Sequence, residues 1–219
     1  MNHQSQQLSD QNTNNMPTII LGSTSIFRKA LLNKLNLSFV QDKPNIDETP
    51  IANEQPEAMV QRLAKQKAAV FTQKYPEHII ISSDQTAVFN NQALGKPLNR
   101  EKAIEQLSNF SGNQVDFYTA MVVINTSTDE QYEHCDTTTV FFRELSEEVI
   151  THYIDIEQPF NCAGSFKSEG LGITLFKKIE SQDPNALVGL PLIALTDIFY
   201  KMGYPLPLEA NSQKTKKSI

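Results

Sequence analysis

Short apolar runs and helix-like patterns alternate along most of the chain. Residues 18–21 form an apolar run that predicts a strand, and a polar turn then leads into a helical spacing of apolar residues at 27–35. A second helix is predicted at 56–74, because this segment begins with proline and Pro76 lies beyond its end. A strand is predicted at 78–89, with three isoleucines at its start and polar residues in its middle.

The rest of the chain adds further helices and a hairpin. Polar residues 125–129 separate two strand-like runs, which is typical of a hairpin, and Asn99 and Ser146 each precede a helical pattern, as N-cap residues do. The further predicted elements are a helix at 100–110, strands at 114–124, 131–144 and 173–179, a helix after Ser146 and a helix at 191–202. Because helices and hairpins are interspersed, the pattern predicts an α/β fold with a mixed sheet.

The two ends of the chain differ from the rest in composition. Residues 1–16 consist mostly of Gln, Asn and Ser and hold too few apolar side chains to order themselves, which predicts a disordered polar N-terminal extension. Residues 209–219 are also polar and predict a C-terminal tail. The folded domain is therefore expected at 17–208.

Composition and charge exclude several classes of protein. The chain has 219 residues, of which 39% are hydrophobic and 20% charged, as in an ordinary soluble globular protein. Its net charge of −6 opposes binding to nucleic acid, and its longest apolar run, at 187–195, is far shorter than the roughly 18 residues of a membrane helix. The two cysteines lack zinc-ligand spacing, and with no secretory signal they predict reduced thiols and a cytoplasmic location.

A lysine stands out in the second predicted helix. On a helical projection from Met59, Leu63 and Phe71 fall near ~40° and ~120°, and Lys67 falls near ~80°, within the same apolar stripe. A buried ammonium needs an anionic partner or a route to water, because its desolvation is costly. Lys67 therefore either faces an anion or packs its stem while its head stays in water.

Other polar residues interrupt the apolar pattern and form a set with Lys67. The hydroxyls of 23–25 and the side chain of Arg28 lie at a predicted helix start, where the dipole favours an anion, although such a run is also typical of a simple N-cap. Glu48 lies in a polar loop, Asp84 in an otherwise apolar strand and Lys96 in a turn. Three cations suit phosphate, and two carboxylates suit a hard divalent cation such as Mg²⁺.

Several short motifs occur in the order found in one known family. They are Ser23-Thr24-Ser25-x-x-Arg28, Asp47-Glu48-Thr49, Lys67, Ser83-Asp84-Gln85, Gly95-Lys96-Pro97, Tyr118-Thr119 and the segment 163–170, AGSFKSEG. On these motifs the sequence resembles the Maf family of nucleotide pyrophosphatases over about residues 17–208. The segment 163–172, with 183–185 and 188–191, is most similar to the subgroup that hydrolyses 7-methyl-GTP.

This resemblance implies a fold and an activity. The implied fold is an elongated mixed sheet flanked by helices, with two lobes around a central cleft, as in the Maf and ITPase-like proteins, and the implied assembly is often a dimer. The implied reaction cleaves a nucleoside triphosphate to the monophosphate and pyrophosphate with a divalent cation, Mg²⁺ or Mn²⁺, and so removes unwanted nucleotides. The implied partner is the nucleotide substrate, with no nucleic acid and no membrane.

The resemblance also implies roles for individual residues. Asp84 matches the general base, and Glu48, with Asp84, matches a metal site. Asp84 is either the base or a metal ligand, which the sequence does not separate. The residues that match phosphate-binding positions are Ser23, Arg28, Lys67 and Lys96, and those that match base-specificity positions are Phe27, Gln85 and Glu169.

Two alternatives remain open at this point. One is a broader pyrophosphatase or one that prefers UTP and dTTP, as in other branches of the family. The other is a noncatalytic nucleotide-binding regulator of septum formation. The sequence departs from many relatives at Ile26, which stands where they have proline and removes no functional group.

Overall fold

A seven-stranded mixed sheet forms the centre of the structure, a computed structural model that describes residues 16–208. The strands are β1 Ile19–Gly22, β2 Phe39–Asp42, β3 Ile79–Phe89, β4 Gln92–Leu94, β5 Gln114–Asn125, β6 Glu130–Phe142 and β7 Phe176–Glu180. The helices are α1 Ile26–Asn33, α2 Pro56–Thr72, α3 Arg100–Phe110, α4 Glu147–Glu157 and α5 Leu192–Lys201. Short 3₁₀ turns lie at Ala163–Ser165, Leu171–Leu175 and Ala186–Val188.

The sheet combines parallel and antiparallel strands. Its order is β2-β1-β3-β5-β6-β7, and β4 pairs with the end of β3. β1 is parallel to both β2 and β3, whereas the other pairs are antiparallel, including the predicted β5–β6 hairpin. The predicted α/β fold with a mixed sheet is confirmed.

Two lobes lie at opposite ends of the long strands β3, β5 and β6. In the first lobe, one apolar cluster packs the sheet against α1 and α5, and another packs the opposite face against α2. In the second lobe, a separate cluster joins α3 and α4 to the far ends of β3, β5 and β6 and to β7. The expected arrangement of two lobes on one elongated sheet is confirmed.

β3 changes from apolar to polar at the point where its neighbour β1 ends. Ile79 and Ile81 face α1 and α5, while Ile80 between them faces α2, because successive strand residues point to opposite faces. β1 stops at Gly22, and the register pairs Leu21 with Ile81. The polar residues of β3 that follow therefore lie beyond the carboxyl end of a parallel strand, a position where open α/β sheets bind ligands.

Gly22 allows the end of β1 to lie close to both β3 and α2. A Cβ atom at this position would collide with the Ser82 hydroxyl and would lie 2.7 Å from the Phe71 ring. Any larger residue at position 22 would push β1 away from the segment that carries the polar residues of β3.

The structure corrects one predicted strand and adds two. The strand expected at 173–179 begins only at Phe176, because residues 171–175 form a 3₁₀ turn in which the Gly172 N–H donates to the Lys167 carbonyl at 3.1 Å. β2 and β4, of four and three residues, were not predicted. Residues 1–15 and 209–219, which include most of the predicted extension and all of the predicted tail, lie outside the described residues, whereas Met16 packs against the first lobe. Between residues 16 and 208, no helix combines the length and the apolar character needed to cross a bilayer.

Candidate active site

Lys67, Asp84 and Glu48 form one charged group between α2 and β3. The Lys67 ammonium lies 2.6 Å from Asp84 Oδ1 and 3.1 Å from Glu48 Oε1. Lys67 and Asp84 are both buried, whereas Glu48 lies in an exposed loop. Of the two alternatives left open for Lys67, the structure shows the one in which the buried ammonium faces an anion, here the carboxylates of Asp84 and Glu48. Its contact with phosphate stays a prediction.

Arg28 projects from the first turn of α1 and is held by two acceptors. Its Nε donates to the Gly189 carbonyl at 2.9 Å, and its Nη1 donates to the Ser23 hydroxyl at 3.5 Å. The Ser25 hydroxyl caps α1 by accepting from the Arg28 backbone N–H at 3.3 Å. Ser25 therefore sets where the helix begins, and Ser23 and Gly189 set where the guanidinium lies.

The charge of Arg28 is linked to the group around Lys67. Burial lowers the pKa of the Arg28 guanidinium below its usual value, and the negative charges of Asp84 and Glu48 oppose this by raising it. Arg28 is therefore close enough to both carboxylates to interact with their charges. Ser23, Arg28, Lys67, Glu48 and Asp84, which are scattered from residue 23 to residue 84, come together at one end of β1.

Gly189 is a second point of convergence, which the sequence analysis did not single out. Its carbonyl accepts from the Ser83 hydroxyl at 2.9 Å as well as from Arg28. Its φ of 116° lies in the region that favours glycine, so the chain can turn there and expose this carbonyl. Ser83 and Gly189 occur within the motifs quoted above, but only their contacts across 106 residues indicate this positioning role.

The expected cleft lies between the two lobes and is open to solvent. From the first lobe it is lined by Phe27 and Arg28, and from the second by Lys96 and Glu169, with Gln85 of β3 at its floor. The other lining residues are Ser25, Asn161, Cys162, Ala163, Phe166, Ser168, Leu187 and Val188. Ser23, Glu48, Lys67 and Asp84 do not line this cleft. Arg28 does line it, and it also contacts Ser23 and interacts with Asp84 and Glu48.

Cys162 lies in the cleft, but its thiol is a poor nucleophile. Burial raises the pKa of its thiol to about 11, so the thiolate is scarce at neutral pH. Cys135 is also a free thiol, and burial likewise raises its pKa to about 11. The prediction of reduced cysteines that do not act as nucleophiles agrees with both observations.

The carboxylates offer part of a site for a divalent cation. Among residues 16–208 there is no group of three or more His, Cys, Asp and Glu side chains that could hold a metal ion by themselves. Glu48 and Asp84 nevertheless both contact the same ammonium, with oxygens 3.1 Å and 2.6 Å from Lys67 Nζ. Mg²⁺ is commonly bound by one or two carboxylates, with water and substrate phosphates completing its coordination.

Comparison with known proteins extends the match from motifs to the whole domain. The family model described as "Maf-like protein" matches residues 18–202. The chain belongs to this family. Among relatives of this Maf-like protein, one from Alcanivorax borkumensis named 7-methyl-GTP pyrophosphatase is 52% identical over 196 residues, which cover 90% of this chain and 100% of the relative. A protein of the same name from Hydrogenovibrio crunogenus is 52% identical and covers 89% of this chain and 98% of the relative.

Among solved structures, the Staphylococcus aureus Ham1 protein aligns with the Maf-like protein with a TM-score of 0.49 and 13% identity, over 85% of this chain and 99% of that chain.

Proposed function

We propose that this protein is a nucleoside triphosphate pyrophosphatase that hydrolyses 7-methyl-GTP to 7-methyl-GMP and pyrophosphate, and so removes a modified nucleotide. Two relatives named 7-methyl-GTP pyrophosphatase match about nine-tenths of the chain at 52% identity. The observation that carries the proposal is the position of Arg28, which lines the cleft and shares the Gly189 carbonyl with Ser83, the residue next to Asp84 on β3.

The cations supply the charge that a triphosphate requires. Arg28 and Lys96 enter the cleft from opposite lobes, and a guanidinium and an ammonium there offset the charge of the bound phosphates. The Ser23 hydroxyl accepts from Arg28 and keeps its own proton for a phosphate oxygen. Lys67 acts from beneath the site, where burial strengthens its electrostatic interactions.

Asp84 is the proposed general base. Its Oδ1 is held by Lys67 at 2.6 Å, and no hydrogen bond within residues 16–208 reaches its Oδ2. The contact with Lys67 orients the carboxylate, and the second oxygen can accept a proton from the attacking water. Hydrolysis of a phosphoanhydride depends mainly on this kind of positioning and on electrostatic stabilisation.

A divalent cation, Mg²⁺ or Mn²⁺, is part of the proposal. Glu48 and Asp84 are the residues that would hold it, because both carboxylates converge on the Lys67 ammonium. When bound, the ion supplies positive charge to phosphate oxygens.

The guanine base of the nucleotide is proposed to lie against Phe27 and Glu169, which line the cleft from opposite lobes. The ring of 7-methylguanine carries a positive charge, whereas that of guanine does not. An aromatic face contributes roughly 0.5–2 kcal/mol to binding a cation, and a carboxylate adds to that preference. Location in the cytoplasm and assembly as a dimer stay predictions.

The proposal is tested by measuring pyrophosphate release from 7-methyl-GTP, GTP, UTP and dTTP with Mg²⁺ or Mn²⁺. We expect release of pyrophosphate rather than inorganic phosphate, with the highest kcat/KM for 7-methyl-GTP. A higher kcat/KM for UTP and dTTP would contradict the proposed substrate. Binding of nucleotides without any release would contradict the proposed hydrolysis and support a noncatalytic regulator.

A further inference from the structure

Gln85 and Thr119 form a cross-strand pair at the floor of the cleft. They lie directly opposite each other in the register of β3 and β5, so their side chains share a face of the sheet. The Gln85 Nε2 lies 2.9 Å from the Thr119 hydroxyl, 2.9 Å from the Ala186 carbonyl and 3.0 Å from the Leu187 carbonyl. The Thr119 hydroxyl in turn lies 3.0 Å from the Ala186 carbonyl.

These contacts fix which way the Gln85 amide points. The two backbone carbonyls can only accept hydrogen bonds, so the end of the amide that faces them is the NH₂ group. A flipped amide would place its oxygen against two carbonyl oxygens. Because Nε2 is engaged by the protein, Oε1 is the polar atom that Gln85 has left for a ligand.

Thr119 reinforces this orientation through the single proton of its hydroxyl. Its side chain is fully buried, and its hydroxyl donates to the Ala186 carbonyl. Towards Gln85 the hydroxyl can then act only as an acceptor, which again requires the NH₂ group at that position. The two hydrogens of this group are shared among the hydroxyl and the two carbonyls. Within residues 16–208 no hydrogen bond reaches Gln85 Oε1, and the residue lines the cleft.

We propose that Thr119 is a positioning residue that holds Gln85 with its carbonyl oxygen towards the bound base. This inference rests on the proposed function. A fixed acceptor favours a base whose edge presents N–H donors, and guanine presents both a ring N–H and an exocyclic NH₂ group. Uracil and thymine present one N–H between two carbonyl acceptors. The fixed Gln85 oxygen would be repelled by the carbonyl oxygens at two of these three positions and could accept a hydrogen bond only at the third. A positive charge on 7-methylguanine strengthens the hydrogen bonds that its N–H groups donate.

The test compares variants at position 119 by the ratio of kcat/KM for 7-methyl-GTP to kcat/KM for UTP. Thr119→Val removes the hydroxyl and keeps the side-chain volume, and we expect this ratio to fall at least tenfold, mainly through KM. Thr119→Ser keeps the hydroxyl, and its ratio is expected within twofold of the unmodified protein. The Gln85→Leu variant lowers the same ratio, and adding Thr119→Val to it produces no further fall if the two residues act as one unit.

Ser83→Ala is the control for loosening of the 186–189 loop. It removes the hydrogen bond from Ser83 to the Gly189 carbonyl but leaves the contacts of Gln85 in place. It is therefore expected to change kcat/KM for both nucleotides together and to keep their ratio. If Thr119 had a purely structural role, Thr119→Val would also change kcat/KM for both nucleotides together and keep their ratio. That result would overturn the proposal.

A measurement on the unmodified protein covers the case in which Thr119→Val does not fold. Hydrogen exchange followed by NMR should show slow exchange of the Gln85 side-chain amide protons, whereas those of the exposed Gln182 exchange fast. Equal rates would overturn the proposal. If the unmodified protein releases no pyrophosphate from any nucleotide, the proposed function fails while the amide exchange still reports on the orientation of Gln85.

Discussion

The ammonium of Lys67 and the carboxylate of Asp84 are 2.6 Å apart, and only 7% and 11% of these two side chains are exposed. The pair joins the inner face of α2 to the point where β3 becomes polar. Glu48 contacts the same ammonium from an exposed loop at 3.1 Å. Removal of Lys67 leaves the buried Asp84 carboxylate without its partner, whereas removal of the Asp84 charge leaves Glu48 on the ammonium, so Lys67 couples the fold to the proposed chemistry.

Lys67→Met tests this coupling. The variant leaves the Asp84 carboxylate buried without its partner, and we expect a loss of about 3–5 kcal/mol in the free energy of unfolding. Pyrophosphate release is expected to fall as well, because Asp84 loses the group that orients it. Urea denaturation measures the first effect.

The matched control is Lys65→Met, two residues earlier on the same helix. Lys65 pairs with Glu133 at 2.8 Å, but their side chains are 48% and 43% exposed. An exposed pair contributes roughly 0–1 kcal/mol. Equal losses in the two variants would contradict the account of Lys67 as the cation of a buried pair.

The sequence predicted this part of the site because helical periodicity depends only on local spacing. Lys67 fell among the apolar residues of the predicted helix, and the cost of burying a charge then required an anion. On the same projection from Met59, Val70 falls near ~20°, within the predicted stripe, yet it is 43% exposed in the structure. Periodicity locates the centre of a buried face well and its edges poorly, because the packing partners decide where burial ends.

Asp136→Asn tests the effect of burying a carboxylate whose charged neighbour is a histidine, the His134 ring nitrogen 3.7 Å from Asp136 Oδ2. Burial is the main reason that the pKa of Asp136 is raised, and its Oδ1 has no hydrogen-bond partner within the described part of the chain. The folded state therefore favours the protonated acid, and it loses stability as pH rises above the ordinary carboxyl pKa of about 3.9. We expect Asp136→Asn to raise the free energy of unfolding at pH 7 by about 1 kcal/mol, an advantage that fades towards pH 4.

Asp155→Asn is the control for this prediction. Asp155 is exposed, and its hydrogen bond to Arg100 lowers the pKa of the carboxyl. A lowered pKa stabilises the folded state above the ordinary carboxyl pKa, so this variant is expected to lose stability at pH 7, the opposite sign to Asp136→Asn. Thermal unfolding at pH 4 and pH 7 measures the change in stability of each variant. If this change has the same sign for both variants at pH 7, burial does not set the protonation state of Asp136.

Glu169→Gln tests the proposed preference for a cationic base. The variant keeps the size of the side chain and removes its charge, so kcat/KM for 7-methyl-GTP is expected to fall about tenfold while that for GTP changes little. Glu180→Gln, an exposed acid that pairs with Lys178 on β7, serves as the control and is expected to leave both values unchanged. An unchanged ratio of 7-methyl-GTP to GTP activity in Glu169→Gln would contradict the assigned role of Glu169.

Other features of the site depend on contacts that local sequence does not encode. The amide of Gln85 is fixed by carbonyls that lie 101 and 102 residues later in the chain. β2 has no fully buried residue, so neither an apolar run nor a clear alternation marks it. The 3₁₀ turn at 171–175 occupies part of the predicted strand, and hydrogen bonds from Gly172 to Lys167 and from Ile173 to Gly170 hold the chain in a turn at its start.

The most direct test of the central claim is pyrophosphate release from 7-methyl-GTP by Asp84→Asn compared with the unmodified protein. General base catalysis typically contributes about 10²–10⁴-fold, so we predict a fall in kcat of that size together with unchanged circular dichroism. A kcat near that of the unmodified protein would show that the carboxylate paired with Lys67 takes no part in the reaction and would contradict the account.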